Sequence, residues 1–216
     1  MLITYKKSLA VLLLLISLLG CSGKNAVSEY DKPALYWYKN IVKSITKSNF
    51  DKADNFYVSL RSEHMRSPLL PTATLMLAQA HMDDGSYIMA DYYLDEYLKK
   101  YASKGKVEQA KFLKIKAAFL GVKDINKDQK LMIDTLKEVD TFTQNYPKSP
   151  YLPMVNTLKV RLYMAQYLLN ENIARLYDRI DKPLAAKIYR EKNAHSPLSS
   201  ADIQPPKEGF LDRLFN

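Results

Sequence analysis

Few residues in this chain could do chemistry: one cysteine, Cys21, and three histidines, His64, His81 and His195. The histidines are scattered, so no helical face gathers two of them as metal ligands. Asp83-Asp84-Gly85-Ser86 opens like a cation-binding loop, yet the carboxylate that would close such a loop is out of register, which favours a turn between helices. No phosphate-cradling glycine loop and no nucleophile-elbow pattern occurs. Carboxylates elsewhere are interspersed with lysines, as in Asp51-Lys52 and Lys137-Glu138, the pattern of a solvated helix surface. These patterns point away from an enzyme, and no metal or dissociable cofactor is expected.

Cys21 is the exception. It follows Leu18-Leu19-Gly20, behind a lysine pair, Lys6-Lys7, and the apolar run Leu9 to Leu19. As a helix that run reaches only about 16 Å, against a hydrocarbon core of roughly 30 Å. It therefore reads as an export signal and not as a membrane span. The segment resembles a bacterial lipoprotein signal, in which leucine and two small or apolar residues precede the cysteine. The resemblance implies cleavage before Cys21 and a covalent acyl lipid on it, the one attached group expected of the chain. Several acyl chains would tether it firmly, because each buried methylene adds about 0.8 kcal/mol. The alternative is a free cysteine behind an ordinary signal. Ser22 is not the aspartate that such lipoproteins use for inner-membrane retention, so an outer-membrane destination is implied.

Loss of Lys6 and Lys7 leaves 30 basic against 23 acidic side chains, a formal +7. In an exported chain that charge meets anionic lipid and acidic protein surfaces, and no nucleic-acid partner is expected. With a single cysteine no disulfide framework is available, so the fold must rest on apolar packing, for which 47% hydrophobic composition suffices.

The elements that position these residues are helical. No proline occurs between Pro71 and Pro147, and glycine is sparse, so long uninterrupted segments favour helices over strands. The spacing predicts helices near 33–48, 50–65, 69–83, 86–102, 106–121, 128–146, 151–180 and 183–192. Residues 1–20 form the signal, 21–32 a polar tether, 33–192 the folded domain, and 193–216 a proline- and serine-bearing linker with a short amphipathic end. Phe50-Asp51-Lys52-Ala53 and Tyr87-Ile88-Met89-Ala90 place an aromatic three residues before an alanine just past a turn, 37 residues apart. Asp181-Lys182-Pro183-Leu184-Ala185-Ala186 repeats the turn and the alanine. This resembles the tetratricopeptide repeat, and the fold class expected is an all-α helical solenoid of about four helix pairs.

Pro33-Ala34-Leu35-Tyr36, Ser67-Pro68-Leu69-Leu70-Pro71, Tyr146-Pro147-Lys148-Ser149-Pro150-Tyr151 and the run Leu168, Glu171, Ile173, Ala174, Arg175, Leu176, Tyr177 carry a more specific likeness. In order and spacing they resemble the BamD (ComL/YfiO) family, lipoprotein subunits of the outer-membrane β-barrel assembly machine, over about residues 18 to 190. The resemblance implies a non-enzymatic scaffold whose first repeats receive unfolded outer-membrane proteins and whose later repeats hold a periplasmic POTRA domain of BamA. If the first helix of each pair lines the groove, Tyr36, Tyr38, Gln79 and Asp83 are candidates for substrate contact, with ordinary packing as the competing role. At the partner end Arg175, Arg179 and Arg190 are candidates, with a solvated face as the alternative. No full fifth repeat follows Lys192. Phe210, Leu211, Leu214 and Phe215 share one helical face and are expected to dock on BamA, on another assembly subunit, or on the chain's own last repeat. A second function open to such a chain is scaffolding of peptidoglycan enzymes.

Overall fold

The computed structural model describes residues 30–198. Cys21 and the terminal Phe210 to Phe215 segment lie outside them. Among the described residues eight helices follow one another: α1 Ala34–Ile45, α2 Phe50–Glu63, α3 Leu70–Asp83, α4 Tyr87–Lys100, α5 Val107–Gly121, α6 Gln129–Asn145, α7 Leu152–Arg179 and α8 Pro183–Ala194. Each packs on its sequence neighbour, and no strand occurs among the described residues. No helix among them is long and apolar enough to cross a membrane. The all-α reading from spacing holds. The main departure is the end of α1, which stops at Ile45, three residues before the predicted end, because the chain there turns left-handed.

That turn recurs, and it is what makes the helices pair. Ser48, Gly85 and Asp181 all have positive φ, at 52°, 81° and 55°. In each case the next residue's N–H reaches back five residues, Asn49 to Ser44, Ser86 to His81 and Lys182 to Tyr177. The left-handed residue itself bonds three back, to Ile45, Met82 and Asp178. This is a Schellman closure, which satisfies helix-end carbonyls that would otherwise be orphaned. The alanines after the three turns, Ala53, Ala90 and Ala186, are fully buried, so the facing helix can approach closely.

Only Gly85 adopts its left-handed conformation without steric cost from a Cβ. Gly85→Ala is therefore expected to lower stability by about 1 kcal/mol, and Ser48→Gly to raise it by about 0.5 kcal/mol. Urea titration of the two variants checks this; equal shifts would remove the turn argument.

The third pair closes differently. Between α5 and α6, Val122 and Ile125 insert into the core, while Asp128 Oδ2 accepts the backbone N–H groups of Lys123 and Asp124 at 3.0 and 2.9 Å. The long polar loop is thus pinned at both ends.

Two apolar clusters result. One gathers Trp37, Ile41, Tyr57, Leu60, Leu77 and Tyr93 from α1 to α4, and the other Phe119, Met132, Phe142 and Leu162 from α5 to α7. Leu120 of α5 packs against both. Helix α8 joins α7 through apolar and polar contacts: Ala186 is fully buried and Tyr189 stacks on Tyr177, with ring centroids 5.8 Å apart. The buried Asn193 donates to Tyr167 O at 3.1 Å and to Glu171 Oε1 at 2.9 Å, and accepts from Asn170 at 2.9 Å.

Candidate functional site

The first candidate group sits on α1 and α3. Tyr36 and Tyr38 flank Trp37, which is buried and donates from Nε1 to Glu63 Oε2 at 2.8 Å, locking α1 to the end of α2. The Tyr36 ring meets Trp37 edge-on at 5.2 Å. Both tyrosines are half-buried against the first cluster, so each combines packing with an accessible portion. Gln79 and Asp83 are exposed on α3, one turn apart, and Gln79 donates to Asp83 Oδ1 at 2.7 Å. The structure thus places the tyrosines on one helix and joins the amide and carboxylate on another.

Helices α2, α3 and α4 also share a buried polar centre that spacing alone does not reveal. Asp54 Oδ1, on α2, accepts from His81 Nε2 of α3 at 2.9 Å and from the Tyr93 hydroxyl of α4 at 2.7 Å. The His81 ring stacks on Tyr93 with centroids 5.5 Å apart. Burial, and then the hydrogen bond to Asp54, push the Tyr93 phenol far above its ordinary range, so it remains a donor. With the His81 proton on Nε2, Nδ1 is buried without a partner among the described residues. Three helices are clamped through one oxygen. Nearby, Tyr57 hydroxyl and Thr74 Oγ1 lie 2.7 Å apart, and Thr74 in turn donates to Leu70 O.

A second buried charge links the same pairs. Glu96 of α4 accepts from Arg61 of α2 at 3.0 Å and from Lys100 at 2.9 Å. Burial alone would raise its carboxyl, but the bonds from Lys100 and Arg61 outweigh that and hold it below the usual glutamate value.

The three candidate arginines differ. Arg190 of α8 is ion-paired across the hairpin with Asp178 of α7, and that carboxylate raises its guanidinium further above the ordinary value. Arg175 reaches only Asn172 Oδ1, at 2.6 Å, and no carboxylate pairs with Arg179 among the described residues. Both border an open depression of about 810 Å³ that includes Asn126, Gln129 and the half-exposed Leu176. The two free cations therefore sit together beside apolar surface, whereas Arg190 is already neutralised by its neighbour.

One further cleft was not anticipated. It lies between α4, α5 and α6, with a volume of about 680 Å³ and an apolar floor. Its rim includes Glu138, whose neighbour Lys137 pairs with Asp134, at 3.1 Å.

Comparison with known proteins gives a consistent result. A family model described as outer membrane lipoprotein (YfiO) matches residues 30–193. An outer membrane protein assembly factor BamD of Helicobacter pylori is 38% identical over 174 residues, covering 80% of this chain and 79% of the relative. A BamD of Caulobacter vibrioides is 24% identical over 148 residues, covering 67% of this chain and 48% of that longer relative.

Proposed function

Because the chain belongs to the YfiO family of outer-membrane lipoproteins, we propose that it is a non-catalytic scaffold of outer-membrane protein assembly, held to the membrane by lipid on Cys21. On this reading its first two helix pairs receive unfolded outer-membrane polypeptides, and its last pair holds a POTRA domain of BamA at the periplasmic face. The single observation that carries the proposal is the 38% identity to a BamD across four-fifths of the chain.

The geometry is compatible with both halves. Half-buried Tyr36 and Tyr38 offer ring area on α1, and Gln79 and Asp83 offer polar groups on α3, which together suit a peptide ending in an aromatic residue. Arg175 and Arg179, lacking internal carboxylate partners, suit an acidic protein surface, where close charge pairs are worth a few kcal/mol. Arg190 is the weaker candidate because binding through it would require exchange of Asp178.

Four experiments in cells test the reading. A photo-crosslinker at Tyr38 is expected to capture unfolded outer-membrane proteins; capture of none would remove the substrate role. Arg175→Glu with Arg179→Glu is expected to cut co-purification of BamA by about ten-fold or more, whereas Arg190→Glu alone has a smaller effect. Unchanged BamA recovery would overturn the assignment of the partner surface, and recovery of peptidoglycan synthases in its place would favour a wall scaffold. Deleting residues 208–216 tests whether Phe210, Leu211, Leu214 and Phe215 contribute to the same contact. Cys21→Ala is expected to release the chain from the outer membrane.

A further inference from the structure

The cleft between α4, α5 and α6 combines an apolar interior with a rim of carboxylates. Its floor is made by Ala117, Ala118 and Gly121 of α5, and its walls by Ile88 and Met89 of α4 and Leu131 of α6. The small floor residues are what leave the space open. At Gly121 a Cβ would come within 3.2 Å of Leu131 Cδ2, so glycine permits α6 to close on α5 while the cavity stays unfilled. Ile88 is 87% exposed at the cleft mouth, an apolar surface that water solvates poorly.

Around this apolar interior stand carboxylates, in a chain whose formal charge is +9. Lys114 rises through the cleft and is committed to Asp95 at 2.6 Å and Asp91 at 3.3 Å. Asp134 is paired with Lys130 and Lys137 on its own helix. Asp128 is spent on backbone N–H groups of the preceding loop. Of the cleft's carboxylates, Glu138 alone has neither an ion-pair nor a hydrogen-bond partner among the described residues. Although its side chain as a whole is exposed, the surrounding protein desolvates its carboxyl; Lys114 attracts it while Asp91, Asp95 and Asp134 repel it, and desolvation leads, so it titrates above the usual glutamate value. A second cation beside Glu138 would relieve that repulsion.

An anionic lipid headgroup is excluded by the same carboxylates, and a bare inorganic cation would leave the apolar floor uncovered. We infer that the cleft is a docking site for a cationic, amphipathic segment of a partner protein, with an aliphatic or aromatic side chain over Ala118 and Gly121 and a lysine or arginine on Glu138. The site is separate from the α1–α3 and α7–α8 surfaces and stands whether or not their assignments do. Because the chain as a whole is positive, recognition is local: long-range steering disfavours a cationic segment, and the complementary charges act only at contact.

The test uses the whole chain downstream of the signal carrying Cys21→Ser, so that neither acyl lipid nor detergent competes. A fluorescent twelve-residue peptide alternating lysine with leucine and phenylalanine is titrated by anisotropy. A matched peptide with glutamate for each lysine serves as control. The cationic peptide is expected to bind and its counterpart not to. Glu138→Lys and Ala118→Phe are each expected to weaken binding about ten-fold or more, with Glu138→Gln intermediate. Asp51→Lys, the same change of net charge on exposed α2, is expected to leave binding unaltered. Equal binding of the acidic peptide, or unchanged affinity in cleft variants whose circular dichroism matches the parent, overturns the proposal.

Discussion

Asp54→Ala is expected to destabilise the helical domain by about 3 kcal/mol, the largest loss of any single polar substitution considered for it. The side chain removed is small. The cost arises because one oxygen satisfies two buried donors, His81 Nε2 and the Tyr93 hydroxyl, which belong to different helices and have little access to water. Each donor left unmatched carries a desolvation penalty of roughly 1–3 kcal/mol. Asp54→Asn keeps an acceptor and is expected to cost about 1 kcal/mol. Tyr93→Phe removes one of the stranded donors, so the double variant Asp54→Ala with Tyr93→Phe is expected to lose less than the sum of the singles. Urea titrations at pH 7 measure all four states. Additive losses, or a loss under 1 kcal/mol for Asp54→Ala, would show that the clamp does not act as one unit.

The second large effect is at Glu96. Glu96→Gln is expected to cost about 2 kcal/mol at neutral pH, because Arg61 keeps a partly buried charge beside a weaker acceptor. The exposed Lys100 adds little, since solvent screens it. The sign with pH follows from the direction of the shift. Folding lowers the Glu96 carboxyl below its ordinary value of 4.5. Its contribution is therefore complete above that value and is lost as pH falls through the lower, folded one. The stability gap between parent and Glu96→Gln should accordingly persist at pH 7 and 5 and close at more acidic pH, where the parent is also protonated. A gap independent of pH would assign the loss to packing.

Helix order and the buried alanines were legible because they follow from local periodicity, and Ala53, Ala90 and Ala186 all lie where the repeat spacing puts them. The left-handed turns were only partly legible. Gly85 announces itself, but Ser48 and Asp181 hold the same backbone with a Cβ, and only their phase relative to Gly85 marks them. Asp54 went unmarked, since the pattern of one helix cannot register that α3 and α4 both close over it. The Lys137-Glu138 alternation marks a solvated helix surface, but successive residues on a helix point about 100° apart, and only the fold shows Lys137 at Asp134 and Glu138 at the cleft. The arginines were visible as charges, but only tertiary contact separates Arg190, already paired, from Arg175 and Arg179.

Helix α7 has a mechanical meaning beyond its packing. Its 28 residues span about 42 Å, and after Pro153 in the first turn it holds no proline or glycine that would introduce a kink. At one end Tyr151 stacks on Phe112 of α5, with ring centroids 5.0 Å apart; about 36 and 42 Å further along stand Arg175 and Arg179. The helix is thus a ruler and a lever at once. Its length fixes how far a body gripping the arginines is held from α5, and a tilt applied at that end arrives at Phe112 as a rotation instead of dissipating in a hinge. Seven residues added to its middle would move the arginines outward by about 10 Å on nearly the same face, whereas three would turn them through most of a circle. Reach and bearing are therefore set by residue count, independently of the affinity of the surface at its tip.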